Sequence, residues 1–172
     1  QRQMCIRDSF KINNTKHLSV IQRDQVFVTQ NGTIEHNDID SLPSVVKTSQ
    51  DYEYEVYIPT FDEFVLLMKR GPQIIYPKDI GSIIISGNIS KFSNILEVGT
   101  GSGALTLYLS LILETSSNLI TLDESSKNQR RAKKTIDRFI SSSHSEKKFS
   151  KVEYLNLKFS DFVFSDVSKK VD

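Results

Sequence analysis

The stretch Asn94-Ile-Leu-Glu-Val-Gly-Thr-Gly-Ser-Gly-Ala-Leu-Thr106 constrains this chain more than any other. Ile95, Leu96 and Val98 supply the apolar run of a buried strand. Gly99, Gly101 and Gly103 supply a tight turn, and a helix starts near Ala104. Glycine lets the backbone bend sharply and approach a ligand that a Cβ would keep away. The first N–H groups of the following helix have no partner within it and can meet polar ligand atoms. Such a turn binds a nucleotide-like ligand.

Downstream residues extend the pattern. Ala104–Glu114 is apolar nearly all round (Leu105, Leu107, Leu109, Leu111, Ile112, Leu113), which predicts a helix buried against a sheet. Asn118–Leu122 reads as a second strand ending at Asp123. Ser125 or Ser126 caps a further helix to Phe139, with Ala132, Ile136 and Phe139 facing inward. Its outer face carries Lys127, Arg130, Arg131, Lys133, Lys134 and Arg138, read first as a solvated face and second as a support for a phosphate backbone. Ser141–Lys148 is a polar linker, and Val152–Leu157 a third strand leading to Ser160-Asp161. Strands alternating with helices imply a parallel sheet, with ligands beyond the carboxyl ends of its strands. Gly99–Gly103, Asp123 and Asp161 all fall at such ends.

The upstream part differs in character. Gln1–Ser9 matches no pattern elsewhere in the chain and reads as a non-native tail of translated adapter sequence, so Cys5 is given no role. Residues 10–58 read as a small β-rich domain, a sheet or partial barrel. Val26 and Val28 stand at alternate positions of a short run, Asn31-Gly32 signals a tight turn, and Tyr52, Tyr54, Val56 and Ile58 alternate in a second run. His17, His36 and His144 have no ligand-like neighbours in sequence and read as structural or solvated. Residues 59–172 form the second domain. Thr60-x-x-Glu63 is a capping box, with Asp62 and Glu63 suited to the first turn. Phe61, Phe64, Val65 and Met68 form one apolar stripe. Gly71-Pro72 ends that helix, and Pro77 opens another through Ile83, Ile84 and Ile85. Between them Gln73 and Tyr76 can hydrogen-bond and stack a base; the plainer reading is a connecting loop.

Charge and composition narrow the classes. A net charge of +1 is that of neither a polybasic binder nor an acidic solvating chain. A single cysteine gives no disulfide framework and no cysteine metal site. No apolar run approaches the ~18 residues of a membrane span, and the N-terminus lacks the apolar core of a secretory signal. The expectation is an intracellular protein, cytoplasmic, nuclear or mitochondrial, with no membrane partner and no metal.

The identity of the ligand turns on the residues around the glycines. The spacing G-x-G-x-G, with Ala104 next, leaves a dinucleotide-binding Rossmann protein open. A Walker loop is excluded, since no Gly-Lys-Ser/Thr follows. Glu97 favours S-adenosylmethionine, because Glu/Asp-x-Gly-x-Gly-x-Gly is the pattern of methyltransferases that use it. Glu97 is expected near the methionine end of that cofactor. Asp123 can accept both ribose hydroxyls, and Asp161 the adenine amino group; charge-assisted bonds of this kind are strong.

From about Pro59 to Asp161 the chain resembles the tRNA (adenine-N1)-methyltransferases that act on adenine 58 of the T-loop. The resemblance rests on Pro59-Thr60, Met68-Lys69-Arg70-Gly71, Gln73-Ile-Ile-Tyr-Pro-Lys-Asp79 and Glu97-Val-Gly-Thr-Gly-Ser-Gly-Ala-Leu-Thr106. The β-rich start is similar to that family's small N-terminal domain, except at Ser41–Asp51, where the expected glycines are missing. The resemblance implies a Rossmann-like α/β methyltransferase fold with an incomplete parallel sheet. It implies cofactor contacts from Ser102, Gly103, Ala104 and Leu105, besides Glu97, Gly99 and Gly101. It also implies ribose binding by Asp123, where most members have Glu, and adenine binding by Ser160 and Asp161. Gln73 and Tyr76 match residues near the target base. Asn128 stands where the family has Gln or Arg. The resemblance further implies tRNA as substrate and a tetramer, of identical chains or with a related non-catalytic subunit. It places the catalytic aspartate on a fourth strand that Val171-Asp172 would open, so the chain reads as a fragment lacking that residue. Two alternatives accompany this reading: a non-catalytic tRNA-binding partner subunit, and a methyltransferase acting on protein or a small molecule.

Overall fold

The computed structural model of the chain describes residues 6–12, 15–68, 74–142 and 149–163. It divides into two compact units, with the break after Met68. Reading the sequence puts that boundary at Pro59; the helix that follows Pro59 belongs with the first unit.

In the first unit, strands β1 (Ile6–Ile12), β2 (Thr15–Ile21), β5 (Ser44–Lys47) and β6 (Glu53–Tyr57) form an antiparallel sheet in the order β2-β1-β6-β5. β3 (Val26–Thr29) and β4 (Gly32–Glu35) pair as a separate hairpin. β1 takes in Ile6–Ser9, paired with Leu18–Ile21, a segment that the sequence pattern sets apart as a tail. The Asn31-Gly32 turn forms as expected, with Gly32 at φ +102, a backbone conformation that other residues seldom adopt. The core is Ile21, Ile34, Ile39, Val46, Tyr54 and Val56, with Ile12, Phe27 and Leu42 packed against it. Of the alternating run Tyr52, Tyr54, Val56 and Ile58, the middle pair is buried and the outer two are exposed, and the alternation of the hairpin is reversed. Val28 is 73% exposed, and Phe27 is the residue that reaches the core. In a strand of period two, a hairpin register that buries Phe27 and Ile34 turns the neighbouring valines to the outside.

The Ser41–Asp51 segment, where glycines are missing, solves its turn differently. Asp51 holds φ +65 itself, its carboxylate takes the Lys47 ammonium at 2.8 Å, and the Thr48 hydroxyl accepts Gln50 and Tyr52 N–H groups. Helix α1 (Phe61–Leu67) begins with the capping box read from sequence: Thr60 Oγ1 accepts the Glu63 N–H, and Glu63 Oε2 accepts the Thr60 N–H. Phe64, Val65 and Met68 are buried as the stripe requires. Glu63 also takes the Lys16 ammonium and the Tyr57 hydroxyl, which ties α1 to the sheet.

In the second unit, β7 (Ile95–Val98), β8 (Leu119–Leu122) and β9 (Val152–Leu155) form a parallel sheet in the order β7-β8-β9. α2 (Pro77–Ser86), with proline in its first turn, precedes β7. α3 (Ala104–Ile112) and α4 (Ser126–Ser142) make the crossovers, and α5 (Phe159–Val163) follows β9. The cross-strand row Ile95–Leu119–Val152 packs against Leu105, Leu109 and Leu113. On the opposite face Leu96, Ile120, Leu122 and Leu155 enclose Phe162 of α5. α4 starts with Ser125 Oγ accepting the Asn128 N–H, and Ala132, Ile136 and Phe139 are its buried face. No described helix is long and apolar enough to cross a membrane.

Candidate functional site

The glycine turn leaves β7 at its carboxyl end, and its three glycines hold φ +95, +54 and +81 at 99, 101 and 103. Their purposes differ. A Cβ built on Gly99 would meet nothing within 4 Å, so that face of the turn is open to a ligand. A Cβ on Gly103 would stand 2.8 Å from the Cβ of Ala132, so Gly103 lets α3 and α4 approach closely. Gly103 is thus a packing residue as much as a ligand-facing one. Its N–H is bonded to the Thr100 carbonyl, and it is the N-cap of α3.

Asp123, at the end of β8, is drawn back onto the turn. Its Oδ2 accepts the Gly101 N–H at 2.9 Å, and its Oδ1 accepts the Ser125 N–H at 2.8 Å. Asn128 Nδ2 lies at 3.4 Å from both oxygens, a weak contact. Asn156 after β9 donates to the Asp123 carbonyl at 2.6 Å. The acid expected to hold a ribose therefore also fixes the turn, and part of its acceptor capacity is already used. Beyond β9, α5 anchors itself through the buried Phe162 and leaves Ser160 and Asp161 exposed, with the Ser160 hydroxyl donating to Asp161 Oδ1 at 3.2 Å. β7, β8 and β9 lie side by side in the order read from sequence; the glycine turn and Asp123 follow the first two directly and are bonded to each other, and Ser160-Asp161 stand in α5 beyond the third.

Glu97 occupies a place the sequence did not indicate. It is 7% exposed and points beneath α3, away from the open face of the turn. Its Oε2 accepts the hydroxyls of Thr106 at 2.5 Å and Thr121 at 2.6 Å, and the Thr106 N–H also donates to the carboxylate. Thr106 is the third residue of α3, so the Glu97 side chain caps the first turn of that helix from below. Burial pushes its pKa up to about 7, against the pull of the Thr106 and Thr121 donors, and the nearby charge of Asp123 adds to the rise.

Glu97 is one end of a buried chain of donors. The Thr100 and Thr121 hydroxyls lie 2.7 Å apart, and Gln129 Nε2 donates to Thr100 Oγ1 at 2.9 Å. The same amide reaches the Thr121 carbonyl at 3.1 Å and the Leu155 carbonyl at 3.2 Å. Gln129 therefore touches the glycine turn and the ends of β8 and β9 at once. Sequence reading missed Thr100, Thr121 and Gln129. Their signal was polarity out of place: a threonine inside the apolar Leu119–Leu122 run, and a glutamine one turn before Ala132 on the inner face of α4.

Of the remaining expected residues, Ser102 is buried, its hydroxyl 3.4 Å from the Ala104 N–H it accepts. Ala104 is buried, and Leu105 packs into the core with Leu109 and Leu113. Backbone rather than side chain is what these residues can offer a ligand. Tyr76 is the N-cap of α2 and 49% exposed, free to stack on a flat partner. Gln73 lies outside the described residues, as do Lys69–Gly71 and Val171-Asp172.

Comparison with known proteins bears on the family and the fold. The family model described as tRNA methyltransferase complex GCD14 subunit matches residues 54–172. The chain is 35% identical over 97 residues to the tRNA (adenine(57)-N(1)/adenine(58)-N(1))-methyltransferase TrmI of Methanocaldococcus jannaschii, covering 56% of this chain and 34% of that protein. It is 37% identical over 86 residues to the tRNA (adenine(58)-N(1))-methyltransferase TrmI of Thermus thermophilus, covering 49% of this chain and 34% of that protein. The matched stretch thus spans about a third of the length of these curated relatives. Among solved structures, the tRNA (m1A58) methyltransferase TrmI from Aquifex aeolicus aligns with a TM-score of 0.70 at 28% identity, over 93% of this chain and 60% of that one. A SAM-dependent O-methyltransferase from Thermotoga maritima aligns with a TM-score of 0.79 over 93% of this chain and 58% of that one; at 20% identity this likeness shows the fold alone. The fold is α/β and Rossmann-like, of the S-adenosylmethionine-dependent methyltransferase type, with a β-rich unit before it.

Proposed function

We infer, since this chain belongs to the family of the tRNA methyltransferase complex GCD14 subunit, that it takes part in S-adenosylmethionine-dependent methylation of adenine N1 in the tRNA T-loop. The observation that carries the reading is the arrangement of three strand ends. The turn held open at Gly99, the ribose-binding candidate Asp123 and the adenine-binding candidates Ser160 and Asp161 leave consecutive parallel strands of one sheet. The residues fit the cofactor. Gly99 leaves room where a Cβ would intrude, and two carboxylates stand at the ends of the second and third strands.

When bound, S-adenosylmethionine supplies an electrophilic methyl group on a positively charged sulfur. The chain's own part is to hold and orient. Gly99 and Gly101 let the backbone come close, and Ser102, Gly103, Ala104 and Leu105 line the turn into α3. Asp123 would take ribose hydroxyls with the acceptor capacity that Gly101 and Ser125 leave it. Glu97 acts from beneath, by fixing the helix start. Neutral adenine N1 already carries a lone pair, so no residue is needed to create the nucleophile. The base must leave its stack to be reached, and Tyr76 offers a flat, exposed surface on which to hold it. Alignment of the reacting atoms supplies much of the acceleration in reactions of this type. Partners in this reading are tRNA and further subunits, identical or related, in a tetramer inside the cell.

Isothermal calorimetry with S-adenosylmethionine tests the site. Asp123→Ala should lower affinity by about tenfold or more, as expected for a charge-assisted pair of bonds. Asp123→Asn should lose less than Asp123→Ala, because it keeps one acceptor oxygen, although its amide nitrogen then faces one of the two N–H donors, Gly101 or Ser125. Equal affinities for wild type and Asp123→Ala would remove Asp123 from the cofactor site. Binding of a tRNA transcript in the presence of S-adenosylmethionine, weakened when the T-loop adenine is changed to guanine, tests the substrate.

A further inference from the structure

α4 segregates charge to a degree that the chain as a whole does not. Its sequence, SKNQRRAKKTIDRFISS, carries six cations and one acid, Asp137, in a protein of net charge +1. At ~100° per residue, Lys127, Arg130, Arg131, Lys134 and Arg138 fall within an arc of roughly 100° over about 17 Å of helix. That arc lies opposite the buried Gln129, Ala132, Ile136 and Phe139. Lys127, Arg130 and Lys134 are exposed, and Arg131 is half-buried. Among the described residues no carboxylate pairs with Lys127, Arg130, Arg131, Lys133 or Lys134. A surface meant only to stay solvated is served by mixed signs, and Lys16, Lys47, Lys78 and Lys91, each paired with a carboxylate, show that pattern elsewhere on the described surface.

We propose that the basic stripe of α4 is a docking surface for the phosphodiester backbone of RNA. The inference rests on the tRNA reading of the site and names the surface that would hold the substrate away from the reacting base. Lys127, Arg130, Arg131 and Lys134, a row of cations without carboxylate partners among the described residues, match a polyanion, and arginine forks suit phosphate oxygens. The apolar face of the helix is spent on the core, so it has nothing to insert into a lipid surface. The stripe begins one turn after Asp123, and RNA held along it would run past the adenosine end of the cofactor site. Contacts of this kind are indifferent to sequence and release counterions.

The test compares the full chain with Lys127→Gln/Arg131→Gln/Lys134→Gln, in which glutamine preserves helix propensity. The control is Lys47→Gln/Lys91→Gln/Lys151→Gln, which removes the same charge elsewhere. Far-ultraviolet circular dichroism and thermal melting confirm that both fold. Binding of a fluorescein-labelled tRNA transcript and of an unrelated stem-loop RNA is followed by anisotropy between low and moderate salt. The α4 variant should bind both RNAs about tenfold or more weakly, with the slope of log K against log salt shallower by about two to three. The control should match wild type. Unchanged affinity and slope in the α4 variant, or an equal loss in the control, would overturn the proposal. Loss of binding to poly-L-glutamate with RNA binding intact would reassign the stripe to an acidic protein. If RNA binding falls as expected but wild type does not bind S-adenosylmethionine, the docking surface stands and the functional reading fails.

Discussion

Glu97 holds its carboxylate inside the protein, and that position has a cost that depends on pH. Its pKa stands at about 7 against an ordinary 4.5, burial being the largest cause. Between these values the folded chain keeps a proton that the unfolded chain has released. The contribution of this group to stability is therefore greatest below 4.5, declines as pH rises through that window, and is lost above about 7. The shift corresponds to a loss on the order of 3 kcal/mol. Glu97→Gln keeps the shape and an acceptor for the two threonine hydroxyls. The expected outcome is a thermal midpoint that falls less than that of wild type between about pH 5 and about pH 7.5. Parallel curves would show that another group titrates. Position 97 also marks where sequence reading stops. The motif identifies the cofactor class, but an alternating strand does not say which face meets α3. Here Glu97 shares its face with Thr121 and Tyr154 rather than with the open side.

At the scale of elements, local chemistry was legible wherever it acts locally. The capping box at Thr60, proline at the start of α2, the serine cap of α4 and the three strand–helix alternations all follow from neighbours in sequence. What was not legible depends on partners far along the chain: the outward turn of Val26 and Val28, the Asp51 conformation, and the amide of Gln129. The glycines of the turn show the same division and can be separated by substitution. Gly103→Ala places a methyl group 2.8 Å from Ala132 at φ +81, where nothing but movement of α3 or α4 relieves it. A loss of about 2 kcal/mol or more is expected in denaturant unfolding. Gly99→Ala meets open space, so its cost should stay near the ~1 kcal/mol of a left-handed backbone, while cofactor affinity drops more than stability does. If Gly99→Ala binds S-adenosylmethionine as tightly as wild type, the open face is not the ligand face.

At the scale of the whole molecule, both outer strands of the parallel sheet matter. Among the described residues no strand pairs with the outer edge of β7, and Val98 there is 57% exposed. Among the described residues β7, the strand that leads into the glycine turn, is an edge, as β9 is. Unpaired, apolar edges recruit other strands. A polypeptide of these residues should therefore self-associate with rising concentration in light scattering. Val98→Lys, a charge of the kind that natural edges carry, should reduce that growth. Scattering unchanged by the substitution would place the association elsewhere.

The amide of Gln129 gives the site a property that no single loop has. Because one amide nitrogen shares its two hydrogens among acceptors on the turn after β7 and on β8 and β9, the positions of the three loops are linked. A group binding at one loop sets the energy of binding at the others, so affinities for the separate parts of a ligand will not add. Replacing Gln129 by leucine would uncouple them, and double-mutant cycles between loop residues would then approach zero interaction.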